Sequence, residues 1–176
     1  MASKLEQGLP TTLSDVVLVR FLKLEPAAAA DSLSCVFSDG SALHGAMPRQ
    51  GVLPHEAFHF VVERTLNWHD GFFGQVAQGI GPDAVMAKLH NANIDRAKNI
   101  QALQSESLIE CLQAEQWGGT VDPATFAHNL IIACRRHGVP PPDVTADEIA
   151  AVRTALREFG AAWRPLPVGG ALERTF

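Results

Sequence analysis

The chain has little of what marks membrane-spanning, secreted or nucleic-acid-binding proteins. No run of about 18 apolar residues occurs in it, and residues 1–10 contain no apolar segment of signal-peptide length. Basic residues are few, with 14 Lys and Arg against 19 Asp and Glu, and the longest basic run is Arg135-Arg136. The sequence therefore predicts a protein with neither nucleic acid nor a membrane as its partner.

Cysteine is also sparse. Cys35, Cys111 and Cys134 are odd in number and widely spaced, and each lies in an apolar pattern, where a buried thiol behaves as a small hydrophobic side chain. This pattern favours a reducing compartment. Because no signal peptide is recognisable either, we expect a cytoplasmic protein.

What the chain has is an ordinary globular composition, 47% apolar and 19% charged over 176 residues. A chain of this size buries roughly 70% of its unfolded surface in one core. We therefore predict a single domain over residues 1–176. Strands are expected within 15–48 and helices within 53–162, followed by an extended tail over 163–176.

Strand patterns come first along the chain. Residues 15–25 are dense in Val, Leu and Phe, and residues 31–38 alternate between apolar and polar side chains. Residues 26–30 are too few for a crossover helix, so these strands should be antiparallel neighbours. Asp39-Gly40 favours a type I′ turn, which would return residues 41–47 as an edge strand.

Helical patterns follow. Pro54 should begin a helix that runs to about residue 67, and a capping box at Thr145 and Glu148 should begin the last one. Further helical or apolar segments are expected at 71–80, 82–91, 94–117 and 123–137. Strands followed by helices predict an α+β fold, with a small N-terminal antiparallel sheet of about three strands packed against a layer of about five helices.

The most informative motif is His55-Glu56-Ala57-Phe58-His59, which reads H-E-x-x-H. Residues four apart share a helix face, about 5 to 6 Å between Cβ atoms, so both imidazoles can bind one zinc ion. In zinc peptidases with this motif the glutamate does not ligate the metal but takes a proton from the water bound there. The motif thus predicts His55 and His59 as ligands and Glu56 as general base.

A sheet with an edge strand, followed by an H-E-x-x-H helix, resembles the layout of zincin-type metallopeptidases. That resemblance implies a hydrolase whose substrate docks beside the edge strand. Two features depart from it. Pro54 begins the helix almost at the motif, whereas zincin helices usually carry a turn or more before the first histidine. Val62 and Thr65 stand where a metzincin needs Gly and His, which excludes that subclass.

The third ligand has to come from elsewhere. Glu63 lies eight residues after His55, about 12 Å along the helix axis, too far to share the ion. A gluzincin-like ligand from the following helices is the expectation, with Glu106 and Glu110 as candidates. Either one can instead be a solvated helix carboxylate.

Alternatives remain open for the histidines. They lie at the edge of an apolar helix face, where they could be core-flanking residues hydrogen-bonded to carbonyls or water, or ligands in a closed structural metal site. Glu56 and Glu63 are expected at the polar border of this face. His69-Asp70 resembles the core pair of HD-type phosphohydrolases, but the interpretation we favour is a cap for a helix beginning at Gly71, with Asp70 accepting from backbone amides.

Two segments together resemble a group of bacterial proteins for which no activity is established. They are LPHEAFHFVVER at residues 53–64 and DGFFGQVAQG at residues 70–79. The group's signature reads P-H-[DE]-x-x-H-x-V-x-E, followed by Gly-aromatic-Gly and a long helix, and the resemblance covers residues 33–115. Members with Asp in place of Glu56 weaken the peptidase interpretation and leave metal binding by the histidines intact.

Two hypotheses follow. One is a zinc-dependent hydrolase with His55, His59 and one further ligand, in which Glu56 activates water. The other is a non-catalytic structural or protein-interaction module, as a homodimer or with another protein partner, in which the two histidines only flank the core.

Overall fold

The computed structural model describes residues 17–49 and 51–176. It confirms the α+β class, with a four-stranded antiparallel sheet and six α-helices in this part of the chain. The strands are β1 (Leu18–Leu22), β2 (Ala30–Val36), β3 (Ala42–Pro48) and β4 (Ala171–Thr175). The helices are α1 (His55–Leu66), α2 (Phe72–Ala77), α3 (Pro82–Leu89), α4 (Ile100–Gly118), α5 (Pro123–His137) and α6 (Ala146–Trp163).

The sheet has the order β3-β2-β1-β4. Its fourth strand lies within residues 163–176, where the sequence predicted an extended tail: α6 ends at Trp163, and β4 pairs with β1. In that pairing Leu172 lies opposite Phe21 and is buried. The segment is short and carries only one core side chain, so its own pattern is weak. It becomes a strand because its backbone pairs with the edge of β1.

The hairpin between β2 and β3 also differs from the prediction. Type I′ needs a positive φ at both central residues, but Asp39 is not among the described residues with positive φ, whereas Gly40 has φ 84°. The amide of Gly40 donates to the Phe37 carbonyl at 3.0 Å. The loop is therefore a three-residue hairpin ending in a left-handed glycine. Asp39 favours it by accepting from the Ser41 amide at 2.8 Å.

One face of the sheet carries the core. Phe21 lies at its centre, with its ring centroid 5.6 Å from that of Phe60 on α1 and 5.1 Å from that of Phe159 on α6. Helix α1 is in turn packed by α4 and α6. The H-E-x-x-H helix is thus the central helix of the fold, enclosed by helices on two sides and by the sheet.

Capping residues in the sequence predicted correctly where two helices begin. Asp122 caps α5 by accepting from the amides of Ala124 and Thr125, and the capping box of Thr145 and Glu148 begins α6. Helix α4 starts later than predicted, at Ile100 instead of residue 94, because a 3-10 turn over Arg96–Lys98 precedes it.

The three cysteines are free and buried, as their apolar surroundings predict. Burial raises the pKa of Cys35 to about 12, so this thiol stays protonated. Among the residues that the structure describes, no helix combines the length and the apolar character that a membrane crossing requires.

Candidate metal centre

Helix α1 begins at the motif itself. Pro54 is its N-cap residue, with φ −57° and ψ 145°, and His55 is the first helical residue. His59 follows one turn later on the same face. Helix α4 packs against α1 and brings in Glu106, 47 residues after His59. Local helix geometry therefore pairs the imidazoles, and tertiary packing adds the carboxylate.

The three side chains turn their donor atoms toward one point. The two Nε2 atoms of His55 and His59 are 3.2 Å apart. The Glu106 carboxylate lies 3.0 Å from Nε2 of His59 through Oε1, and 3.4 Å from Nε2 of His55 through Oε2. Donors about 2.0 to 2.1 Å from a tetrahedral metal are about 3.3 to 3.4 Å apart. The group His55, His59 and Glu106 could therefore hold a metal ion.

Each imidazole also has a partner on its other nitrogen. Nδ1 of His59 is 3.0 Å from Oε1 of Glu63, and Nδ1 of His55 accepts from the side-chain amide nitrogen of Gln113 at 3.2 Å. Histidine ligands nearly always donate their other N–H to an outer acceptor, which fixes the tautomer and the ring orientation, and Glu63 is such an acceptor for His59. For His55 to bind a metal through Nε2, the Gln113 amide has to turn over so that its oxygen accepts from Nδ1–H. Because both rings are held through Nδ1, both present Nε2 to Glu106.

Glu56 was expected at the polar border of α1 and does not lie there. It is 2% exposed, and its Oε2 is buried without a hydrogen-bond partner among the described residues. Burial raises the pKa of Glu56, the charges of His55 and His59 oppose that effect, and the charge of Glu106 adds to it. Because these three groups affect its protonation, Glu56 belongs to the same electrostatic site. A raised pKa suits a general base working near neutral pH.

Glu63 was also expected at the polar border, and it is completely buried. Its Oε1 accepts from the Phe72 amide at 2.7 Å and its Oε2 from the Phe73 amide at 2.8 Å. The predicted cap by Asp70 is therefore wrong, since α2 begins after Gly71 with no side-chain cap from that residue. The buried carboxylate of Glu63, on another helix, takes that place.

The charged side chains of the centre shift one another's pKa values because they lie close together. Burial alone would lower the pKa of His59, but the carboxylates of Glu106 and Glu63 on either side raise it to about 10. Burial would likewise raise the pKa of Glu106, and the neighbouring His59 and His55 hold it well below its usual range. In the metal-free protein His59 is thus an imidazolium between two carboxylates.

Glu110, the second candidate for the third ligand, lies elsewhere. Its side chain is 45% exposed and pairs with Arg136 on α5. It is not part of the group that could hold a metal. His69 and Asp70 are exposed and are not part of that group either.

The centre is almost closed to solvent. The side chain of His59 is 0% exposed, that of Glu106 is 9% exposed and that of His55 is 14% exposed. Since the edge of His55 is the most accessible part of the three ligands, a small molecule would approach from that side.

Two supporting residues escaped sequence reasoning. Gln113 gave no signal, because an amide on a helix is ordinary. Glu63 did give one, since it stands four residues after His59 and shares that face of α1, but its distance from His55 hid an outer role.

Comparison with protein-family models, with curated proteins and with solved structures gives no match. The interpretation of the centre therefore rests on its geometry.

Proposed function

We propose that the protein is a zinc-dependent hydrolase in which His55, His59 and Glu106 bind the metal. The observation that carries this proposal is the convergence of both Nε2 atoms and one carboxylate at 3.0 to 3.4 Å. Two histidines and one glutamate are the three protein ligands of several zinc peptidases, whose fourth position stays open for water or substrate.

Glu56 is the second support for hydrolysis. In this proposal zinc, when bound, acts as a Lewis acid that makes water a better nucleophile at neutral pH. Glu56 accepts the proton of that water, because its oxygen is buried without a partner among the described residues and the charges of His55, His59 and Glu106 influence its pKa. A buried oxygen without a partner costs free energy, and no described residue partners this one. A polar molecule hydrogen-bonded to it would remove that cost.

The burial of the centre supports a small substrate. With His59 and Glu106 almost inaccessible, a folded protein or a long chain cannot reach the metal without movement of α1 or α4. Esters, amides or phosphate esters of low molecular weight match this access.

The test is Glu56→Gln in zinc-loaded protein, assayed on small chromogenic esters, amides and phosphate esters. Loss of a general base should lower turnover by about 10² to 10⁴-fold, while the metal content stays the same. Glu110→Gln, which also neutralises one carboxylate, is the matched control and should retain full activity. Equal activity of the Glu56→Gln and wild-type proteins would exclude the proposed base.

A second candidate, a closed structural zinc site, is favoured by the same burial. It predicts that wild-type protein binds zinc and hydrolyses none of these compounds, and that chelation lowers the melting temperature. In that case Glu56→Gln would alter stability alone.

A further inference from the structure

One carboxylate joins the metal centre to the segment after α1. Glu63 is 0% exposed, and its Oε1 lies 3.0 Å from Nδ1 of His59. The hydroxyl of Ser105 lies 3.4 Å from that same oxygen. The backbone amides of Phe72 and Phe73 donate to the two carboxylate oxygens at 2.7 and 2.8 Å. Both oxygens are therefore held in place from a second helix.

The glycine before those amides makes room for the carboxylate. A Cβ atom placed on Gly71 would lie 2.3 Å from Cδ of Glu63, far closer than any real contact. With φ −79° and ψ −156° the backbone of Gly71 is extended, which other residues also adopt. Space, and not backbone conformation, is what requires glycine here.

We infer that Glu63 is a positioning residue for the metal centre, and that Gly71, Phe72 and Phe73 hold its carboxylate in place. The Nδ1–H of His59 donates to Glu63, so that the lone pair of Nε2 faces the metal. Two backbone amides restrain the carboxylate, so His59 is oriented by a rigid acceptor and not by a mobile side chain. The glutamate that ends the histidine motif and the Gly-Phe-Phe sequence are thus one functional unit.

Charge strengthens this role. A buried carboxylate that accepts from an imidazole makes the other nitrogen a stronger ligand. Two backbone amides and the imidazole take the place of water around the Glu63 carboxylate. His55 has the neutral Gln113 in the corresponding position, so a carboxylate faces Nδ1 of His59 and an amide faces Nδ1 of His55.

This inference rests on the proposed metal site and is tested through binding, not activity. Dissociation constants for Zn(II) are measured by competition with a chromogenic chelator on wild-type protein and on Glu63→Gln. Removal of a carboxylate from the outer shell typically weakens binding by about 10 to 100-fold. The visible spectrum of Co(II) in the site should change as well, because the orientation of His59 changes.

Gly71→Ala tests the same contact without altering any polar group. The added methyl must displace Glu63, so Zn(II) binding should weaken in the same direction, and this variant serves if Glu63→Gln does not fold. Gly81→Ala is its matched control. Gly81 is also an N-cap residue with extended backbone, and a Cβ atom there meets nothing within 4 Å.

The outcomes distinguish failure of the proposed metal site from failure of the role inferred for Glu63. Wild-type protein that binds no Zn(II) would overturn the proposed function and this inference with it. Wild-type protein that binds Zn(II), with unchanged affinity and Co(II) spectrum in Glu63→Gln and Gly71→Ala, would overturn only the inference. Lower melting temperatures with unchanged affinity would mark Glu63 as a structural residue alone.

Discussion

Glu106 and Glu110 lie one turn apart on helix α4 and have opposite surroundings. Glu106 is almost completely buried between His55 and His59, whereas Glu110 is half-exposed beside Arg136. Both are plain helix glutamates in the sequence. The face that α4 turns toward α1 makes one of them a candidate ligand and leaves the other on the surface.

Glu106 and Glu110 also differ in the free energy of removing their carboxylates from water. Burying Glu106 removes it from water, and only the two imidazoles or a cation compensate for that loss. Glu110 keeps most of its hydration, and an exposed ion pair of this kind contributes about 0 to 1 kcal/mol. We therefore expect a metal ion to bind at the desolvated carboxylate of Glu106 and not at the hydrated carboxylate of Glu110.

The largest expected effect comes from neutralising each glutamate in turn. Glu106→Gln should weaken Zn(II) binding more than about 100-fold, beyond the range for residues that do not touch the metal. Glu110→Gln should leave binding unchanged, because its side chain faces α5. Isothermal titration calorimetry or chelator competition measures both.

Equal weakening by the two substitutions would contradict this contrast. It would mean that general negative charge on α4, and not one placed carboxylate, attracts the cation. Glu110→Gln should also leave the free energy of unfolding within about 1 kcal/mol of wild type, which confirms that the control is folded.

The second effect is a pH dependence of the metal-free protein. The folded pKa of His59 is raised to about 10 from an ordinary value of 6.5, so its contribution to stability is complete below about pH 6.5. That contribution should be lost as the pH rises toward 10. Chemical denaturation of chelator-treated protein across this range measures it, and His59→Gln should flatten the curve.

The carboxylate of Glu106 determines how the stability of the metal-free protein changes in acid. The pKa of Glu106 is held low by the imidazoles, so its contribution is present above about pH 4.5 and is lost as the pH falls below that value. Zinc affinity should instead rise with pH, since a ligating imidazole must be neutral. Metal-free stability that does not fall between pH 6.5 and 10 would contradict an imidazolium at His59.

The smallest effect is expected at Gln113, the neutral partner of His55. Gln113→Ala should weaken Zn(II) binding by about tenfold, at the lower end of the range for outer partners. A loss as large as that of Glu63→Gln would show that charge is not what distinguishes the two outer partners. Chelator competition under one set of buffer conditions compares the two variants directly.

Much of the fold was predictable because its signals are local. Alternation in β2, the Asp122 and Thr145 caps and the glycines after the helices all act within a few residues. The strand β4 was not predicted, since it depends on pairing with β1 about 150 residues earlier in the chain. The turn at Asp39-Gly40 was assigned the wrong type, because the dipeptide suits two loop lengths; in the three-residue loop Asp39 accepts from the Ser41 amide.

The residues of the site also divide into those that local spacing predicts and those that depend on tertiary packing. His55 and His59 follow from helical spacing, and Glu106 was one of two candidates that spacing could not separate. The depth of Glu56 and Glu63 could not be read from α1 alone. The sequence prediction assumed that α1 has one buried face, whereas the helix is enclosed by α2, α4, α6 and the sheet. The contact between Glu63 and Phe72 required both helices to be in place.

The most direct test is the metal content of untagged protein purified without chelator, measured by inductively coupled plasma mass spectrometry beside His55→Ala/His59→Ala. The account predicts close to one zinc per chain in the wild-type protein and none in the variant. A wild-type protein that carries no metal, and takes up none after incubation with zinc, would contradict it.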